Sequence, residues 1–275
     1  MVDPHLLTIL AGVFGLAVGS FLNVCIYRLP RKLSVITPRS FCPECNEQIA
    51  WHDNIPIVSY LLLRGRCRRC RAAIPWRYPF NELATALLFG AVIQRWGLTP
   101  EGIKWLVFGC LMVVLFWTDA ETKLLPDVLT IGGLVAGLFF AAIVPLRSSF
   151  FWWMSGGLPE PVDSVVTAMI SAMLLALPFL LFSEGYARIR GISPAGWGDT
   201  KLLGMLGSFL GPERGLLALL IGSISGAVIG LGYIWGTGKS PKTDPIPYGP
   251  FLCAASLAVL FWESNFFATW WNFAA

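Results

Sequence analysis

The chain has 275 residues, 56% of them hydrophobic and 13% charged, with a formal net charge of +4 at neutral pH. Soluble domains carry roughly 25% charged residues, so this composition excludes an ordinary soluble globule and indicates a membrane protein. Two histidines are too few for a histidine-rich metal centre.

Apolar stretches lie at 5–27, 80–94, 102–118, 128–146, 162–182, 201–211, 216–235 and 249–272. A helix needs roughly 20 apolar residues to cross a bilayer, so the expected fold is an all-α polytopic membrane protein with about eight transmembrane helices. The first stretch lacks a basic flank and a clean cleavage site, and reads as a retained helix rather than a removed signal peptide. The sixth is short: about a dozen residues reach only ~18 Å as a helix against a ~30 Å core. It is expected to be thin, broken, or begun inside a cavity.

Lysine and arginine placement sets the orientation. With the amino terminus outside and eight crossings, loops 28–79, 119–127, 183–200 and 236–248 share one side. They hold most of the basic residues, among them Arg28, Arg31, Arg64, Arg66, Lys123, Arg188, Arg190, Lys239 and Lys242. Arg95, Lys104, Arg147 and Arg214 mark the other side. The expected domains are a first transmembrane helix at 1–27, a cytoplasmic loop domain at 28–79, and a membrane core at 80–275.

The loop at 28–79 is too small for an independent core without a staple. Cys42-Pro43-Glu44-Cys45 and Cys67-Arg68-Arg69-Cys70 supply one, with twenty-one residues between the pairs. Four thiolates at this spacing suit a closed, structural tetrahedral zinc site, and a cytoplasmic setting favours zinc over disulfides. Cys25, Cys110 and Cys253 lie in apolar runs and read as packing residues. The six arginines from Arg64 to Arg77 lack aromatic interleaving and a recognition fold, so no nucleic acid partner is expected. They read instead as topology determinants and contacts for anionic lipid headgroups.

Two acids stand at the ends of apolar segments, where burial of a carboxylate is unfavourable. Asp119 closes the third stretch, and Asp199 follows Gly196-Trp197-Gly198 at the start of the sixth. If they meet, like charges hold one proton between them, the arrangement that lets one carboxylate activate water while the other protonates a peptide carbonyl. Intramembrane acids also mark ion or proton pathways in transporters, and Asp199 suits a helix cap; the residues alone leave hydrolysis, transport and capping open. Asp127, after Pro126, reads as a helix-start acid. Glu82, just inside the second segment, requires a partner or a polar cavity. The run Asp244-Pro245-Ile246-Pro247-Tyr248-Gly249-Pro250 is stiff, either a loop stiffener or a surface for an extended peptide.

Seven stretches resemble the type IV prepilin peptidases, membrane aspartic proteases of the GxGD class: GSFLNVCIYRLP (19–30), the two cysteine pairs, YPFNELATALLF (78–89), TDAETKLLPD (118–127), GWGDTKLL (196–203) and IPYGPFL (246–252). The resemblance runs through nearly the whole chain in order. It implies that Asp119 and Asp199 are the catalytic pair and Asp127 is not catalytic. The implied substrates are type IV prepilins or type II secretion pseudopilins, cut after a glycine at the cytoplasmic face of a bacterial inner membrane. The amino terminus is then periplasmic. The cysteine-bearing loop is typical of members that also methylate the new amino terminus with S-adenosylmethionine. Glu82 and Asn23, polar residues in family-like stretches, are the candidates toward that methyl donor. Gly196, Gly198, Pro247, Gly249 and Pro250 are expected to shape the substrate cleft, with Glu44, Glu47 and Asp53 offsetting the loop's positive charge toward a basic leader.

Overall fold

A computed structural model describes residues 3–146, 148, 159–190, 196–238 and 246–262. Lys239, Lys242, Arg147 and the last part of the eighth stretch lie outside the described residues. Among the described residues eight α-helices follow in order: α1 (Pro4–Arg28), α2 (Val58–Leu62), α3 (Arg77–Trp96), α4 (Pro100–Thr122), α5 (Asp127–Ile143), α6 (Glu160–Arg190), α7 (Trp197–Thr237) and α8 (Gly249–Phe261). α1, α4, α6 and α7 are long and apolar enough to cross a membrane, and α5 and α8 are shorter apolar helices. The chain is a multi-pass, all-α membrane protein. It divides into two compact units, Met1–Val114 and Leu115–Ala275, with the boundary inside α4.

In the first unit α1 packs along α3. Gly15 and Gly19, four residues apart on one helix face, make the approach possible. A Cβ on Gly15 would lie 2.8 Å from the Ala86 Cα, and one on Gly19 2.8 Å from the Glu82 Cα. Small residues at this spacing are the usual means of close helix contact in membranes. Polar groups stitch the same seam: the Asn81 amide donates to the Gly19 carbonyl and the Asn23 side chain, and Asn23 donates to the Tyr78 carbonyl.

Between these helices the loop folds as two copies of one small turn. Phe41 bridges Gln48 around Cys42 and Cys45, and Arg66 bridges Ala73 around Cys67 and Cys70. The bonds match pair for pair: Cys42 N–H to Glu47 O with Cys67 N–H to Ala72 O, and Ile49 N–H to Ser40 O with Ile74 N–H to Gly65 O. Even the left-handed residue recurs after each second cysteine, Asn46 at φ 56° and Arg71 at φ 61°. An internal repeat is therefore present that the sequence conceals, because little beyond the cysteines and the following isoleucine and tryptophan is shared.

In the second unit α7 is the central element, contacting α5, α6 and α8. Every residue from Leu202 to Pro212 is buried. A helix apolar on all sides belongs in a protein interior, which accounts for the shortness of the sixth stretch. Gly207 packs tightly on α6, since a Cβ there would sit 2.5 Å from the Ser171 carbonyl oxygen. Gly211, at φ 77° and ψ −178°, breaks the helical course just before Pro212. The sixth and seventh stretches are two helices joined through this kink, with no intervening loop.

Candidate active site and metal centre

Three helix ends of the second unit converge on the aspartates. α4 carries Asp119 in its final turn, and Lys123, at φ 55°, ends that helix by donating its N–H to the Asp119 carbonyl. Asp119 is 5% exposed. Its Oδ2 accepts the backbone N–H of Gly249, the first residue of α8, at 2.9 Å. A Cβ on Gly249 would stand 2.7 Å from that same oxygen, so only glycine permits the approach.

Asp199 is half-buried in the first turn of α7. Its Oδ2 accepts the N–H of Gly196, the residue that precedes the helix, at 3.2 Å. Each carboxylate thus lies at the positive end of a helix, held by a main-chain donor, which offsets part of the burial of its charge. The two are close enough to repel one another as like charges. Cys253, one turn into α8, is fully buried. The capping role of Asp199 is thus present in the structure, with one oxygen held by the residue that precedes the helix.

The glycines before Asp199 differ in purpose. A Cβ on Gly198 would come within 3.0 Å of the Leu125 Cβ, so this glycine lets α7 start against the α4–α5 connection. A Cβ on Gly196 would meet the Asp199 Oδ2 and the Gly198 nitrogen at 3.8 Å, ordinary contact with the described residues. Asp127 sits in the first turn of α5 and pairs with Lys201 at 2.6 Å, so the cation nearest in sequence to Asp199 is engaged elsewhere. Pro250 is buried and Pro247 half-buried on either side of Gly249.

Tyr248 is a site residue that the sequence did not single out. Its ring stacks on Phe179 at 6.1 Å and 8°, and its hydroxyl meets the Ser223 hydroxyl at 2.7 Å. Tyr248 anchors the start of α8 to α6 and α7, which fixes the Gly249 N–H on Asp119. The only signal in the chain was its place between two prolines beside a glycine.

In the first unit the four thiol sulfurs of Cys42, Cys45, Cys67 and Cys70 lie within 4.8 Å of one another. Metal–sulfur bonds of about 2.3 Å in a tetrahedron place sulfurs just under 4 Å apart, so these residues fit a four-thiolate zinc site. The N–H groups of Cys70 and Arg69 bring the Cys67 thiol down to about 7, toward the thiolate a metal requires. Asp53 is held by Arg68 through two bonds of 2.7 and 2.6 Å, so its charge is already matched, and the Arg68 guanidinium keeps its carboxyl below the usual range. Glu82 accepts the Ile57 N–H at 2.7 Å, stabilising a left-handed backbone (φ 60°) that a β-branched residue resists. Asn23 and Glu82 are both buried, with polar atoms bonded to protein partners.

The chain thus combines a multi-pass all-α membrane fold, two acids of the second unit each held by a glycine N–H, and a four-cysteine cluster in the first unit. Residues 13–96 match the bacterial peptidase A24 N-terminal domain, and residues 106–231 match the type IV leader peptidase family. The chain is 35% identical to a prepilin leader peptidase/N-methyltransferase of Aeromonas salmonicida, over 95% of this chain and 93% of that protein. It is 34% identical to one of Legionella pneumophila over 98% and 96%. A Myxococcus xanthus protein of the same name is 38% identical over 84% of this chain, and the match spans 65% of its length. No solved structure matches the chain. The chain belongs to the type IV leader peptidase family.

Proposed function

We propose that this protein is a membrane aspartic endopeptidase that removes the leader of type IV prepilins or pseudopilins after a glycine, and then N-methylates the new amino terminus using S-adenosylmethionine. The single observation that supports the peptidase half is that Asp119 and Asp199, in the same unit, each have one oxygen held by a glycine N–H at a helix start. The relatives' shared name carries the methyltransferase half. Ion transport finds no support in these relatives.

In the first step one carboxylate takes a proton from water as the water oxygen attacks the scissile carbonyl carbon, and the partner carboxylic acid protonates the carbonyl oxygen. Collapse of the tetrahedral species breaks the C–N bond and the departing amine receives a proton, restoring the pair. The pair titrates as a unit, so base and acid roles belong to the dyad. Gly249 and Gly196 keep both carboxylates oriented before substrate arrives. A glycine ahead of the cut allows the substrate chain to run extended toward the aspartates, with Gly196, Gly198, Pro247, Gly249 and Pro250 framing the cleft.

Cys42, Cys45, Cys67 and Cys70 would hold a structural zinc that closes residues 28–79 into one folded loop. The methyl donor supplies a methyl group for the freed amine. Asn23 and Glu82 do not fit as direct contacts to it, because both are buried in protein hydrogen bonds. Their role in this reading is to support the first unit. The excess of lysine and arginine in one set of loops supports a site at the cytoplasmic face of the inner membrane, with the amino terminus periplasmic.

The test is reconstitution of the purified protein with a prepilin and a labelled methyl donor, comparing the unmodified chain with Asp119→Asn and Asp199→Asn. Product mass reads cleavage and label on the new terminus reads methylation. The unmodified chain cuts after glycine and both variants, still folded, do not. Continued cleavage by either variant overturns the dyad.

A further inference from the structure

A cavity of about 410 Å³ lies within the first unit, between the later turns of α1 and the loop that follows it. One wall is Ala17, Phe21 and Val24 of α1, and the other includes Ile36 and Trp51 of the loop. α1 is an apolar span, and Phe21 is 52% exposed on it, so the trough opens where hydrocarbon surrounds the helix.

The cavity also reaches the end of α1, and there its chemistry changes. Arg28, the last residue of α1, lines it while being 4% exposed. The guanidinium donates to the carbonyls of Ser34 at 2.8 Å, Pro38 at 2.7 Å and Arg39 at 3.3 Å, and stands over the Phe41 ring. Those bonds satisfy donors but leave a full positive charge, of which the negative end of α1 offsets about half. Among the described residues no carboxylate forms an ion pair with Arg28. The exposed Arg39 adds a second cation to the same cavity. One end thus asks for an anion and the other for a hydrocarbon chain.

We propose that this cavity binds an anionic phospholipid, its phosphate toward Arg28 and Arg39 and one acyl chain along Ala17, Phe21 and Val24. The charge favours this ligand over S-adenosylmethionine, which carries a sulfonium and an ammonium against two arginines. The bound lipid ties the loop to the membrane span and leaves the aspartates untouched.

The test is native mass spectrometry of the full chain after exchange into mixed phosphatidylglycerol and phosphatidylcholine. One phosphatidylglycerol is retained per chain in preference to phosphatidylcholine. Ala17→Trp, which fills the trough, abolishes retention, and Arg39→Gln lowers the preference about fivefold, the worth of one arginine against an anionic lipid. Prepilin cleavage by both variants is unchanged, showing that they fold. Equal retention of the two lipids, or undiminished retention by Ala17→Trp, overturns the proposal. So does displacement by inorganic phosphate alone, or labelling of Trp51 by photoactivated S-adenosylmethionine that excess lipid leaves undiminished.

Discussion

The two units build their sites by opposite routes. The four-thiolate site is local: each half is a short turn with its own hydrogen bonds, bringing two sulfurs that need only a second, equivalent turn. The aspartate site is assembled at long range, where Asp119 meets a donor 130 residues away in sequence. A local site survives as long as its turns survive. A long-range site depends on where three helices begin and end, and small displacements of any of them are felt by the chemistry.

The strongest way to break this comparison is to remove the local site. Replacement of Cys42 and Cys67 by serine abolishes zinc binding, since a structural four-cysteine site is worth on the order of 10 kcal/mol to the fold around it. Metal analysis of the purified chain reads this directly, and methylation is lost with it. Prepilin cleavage persists; its complete loss in a protein whose second unit is intact would show that the two sites are not separable.

Gly249→Ala tests the long-range site without altering any reacting group. The new Cβ would press on Asp119 Oδ2, and a misplacement of this size lowers cleavage roughly 100-fold. Zinc content and methylation of a pre-cut peptide stay at their unmodified levels. A smaller effect follows from Tyr248→Phe, which removes the hydroxyl bond to Ser223 but keeps the stack on Phe179. Loss of one such bond is worth about 1 kcal/mol, so cleavage falls about fivefold, and Ser223→Ala reproduces the effect without adding to it. Lys201→Met is the mildest. Its partner Asp127 is largely exposed, so the pair contributes under about 1 kcal/mol and cleavage changes less than about fivefold in steady-state assays.

The same contrast explains what could be read from the chain. The cysteine spacing announced a metal site because metal geometry is written in short intervals. The two aspartates announced themselves by charge in an apolar setting, and their pairing came from family resemblance. Tyr248 stayed hidden because its stack and its hydroxyl bond exist only after α6 and α7 have taken position. Each of the eight apolar stretches contains a helix, the fourth ending at Ile143 and the sixth breaking at Gly211. That the sixth is a buried interior helix, joined to the seventh at Gly211, depends on packing that a hydropathy pattern does not encode. Asn23 and Glu82 stood out for being polar, and the structure gives them buried hydrogen-bonding partners.

Both aspartates lean on main-chain donors, and a main-chain donor belongs to a position along the chain rather than to a side chain. Inserting one residue between Ile246 and Tyr248 turns the helix that follows by about 100° or moves its first N–H elsewhere. The bond to Asp119 would then be lost with every amino acid of the proposed site still present. For Asp119, the length of the segment leading into Gly249 is as much a part of that proposed site as the acid itself.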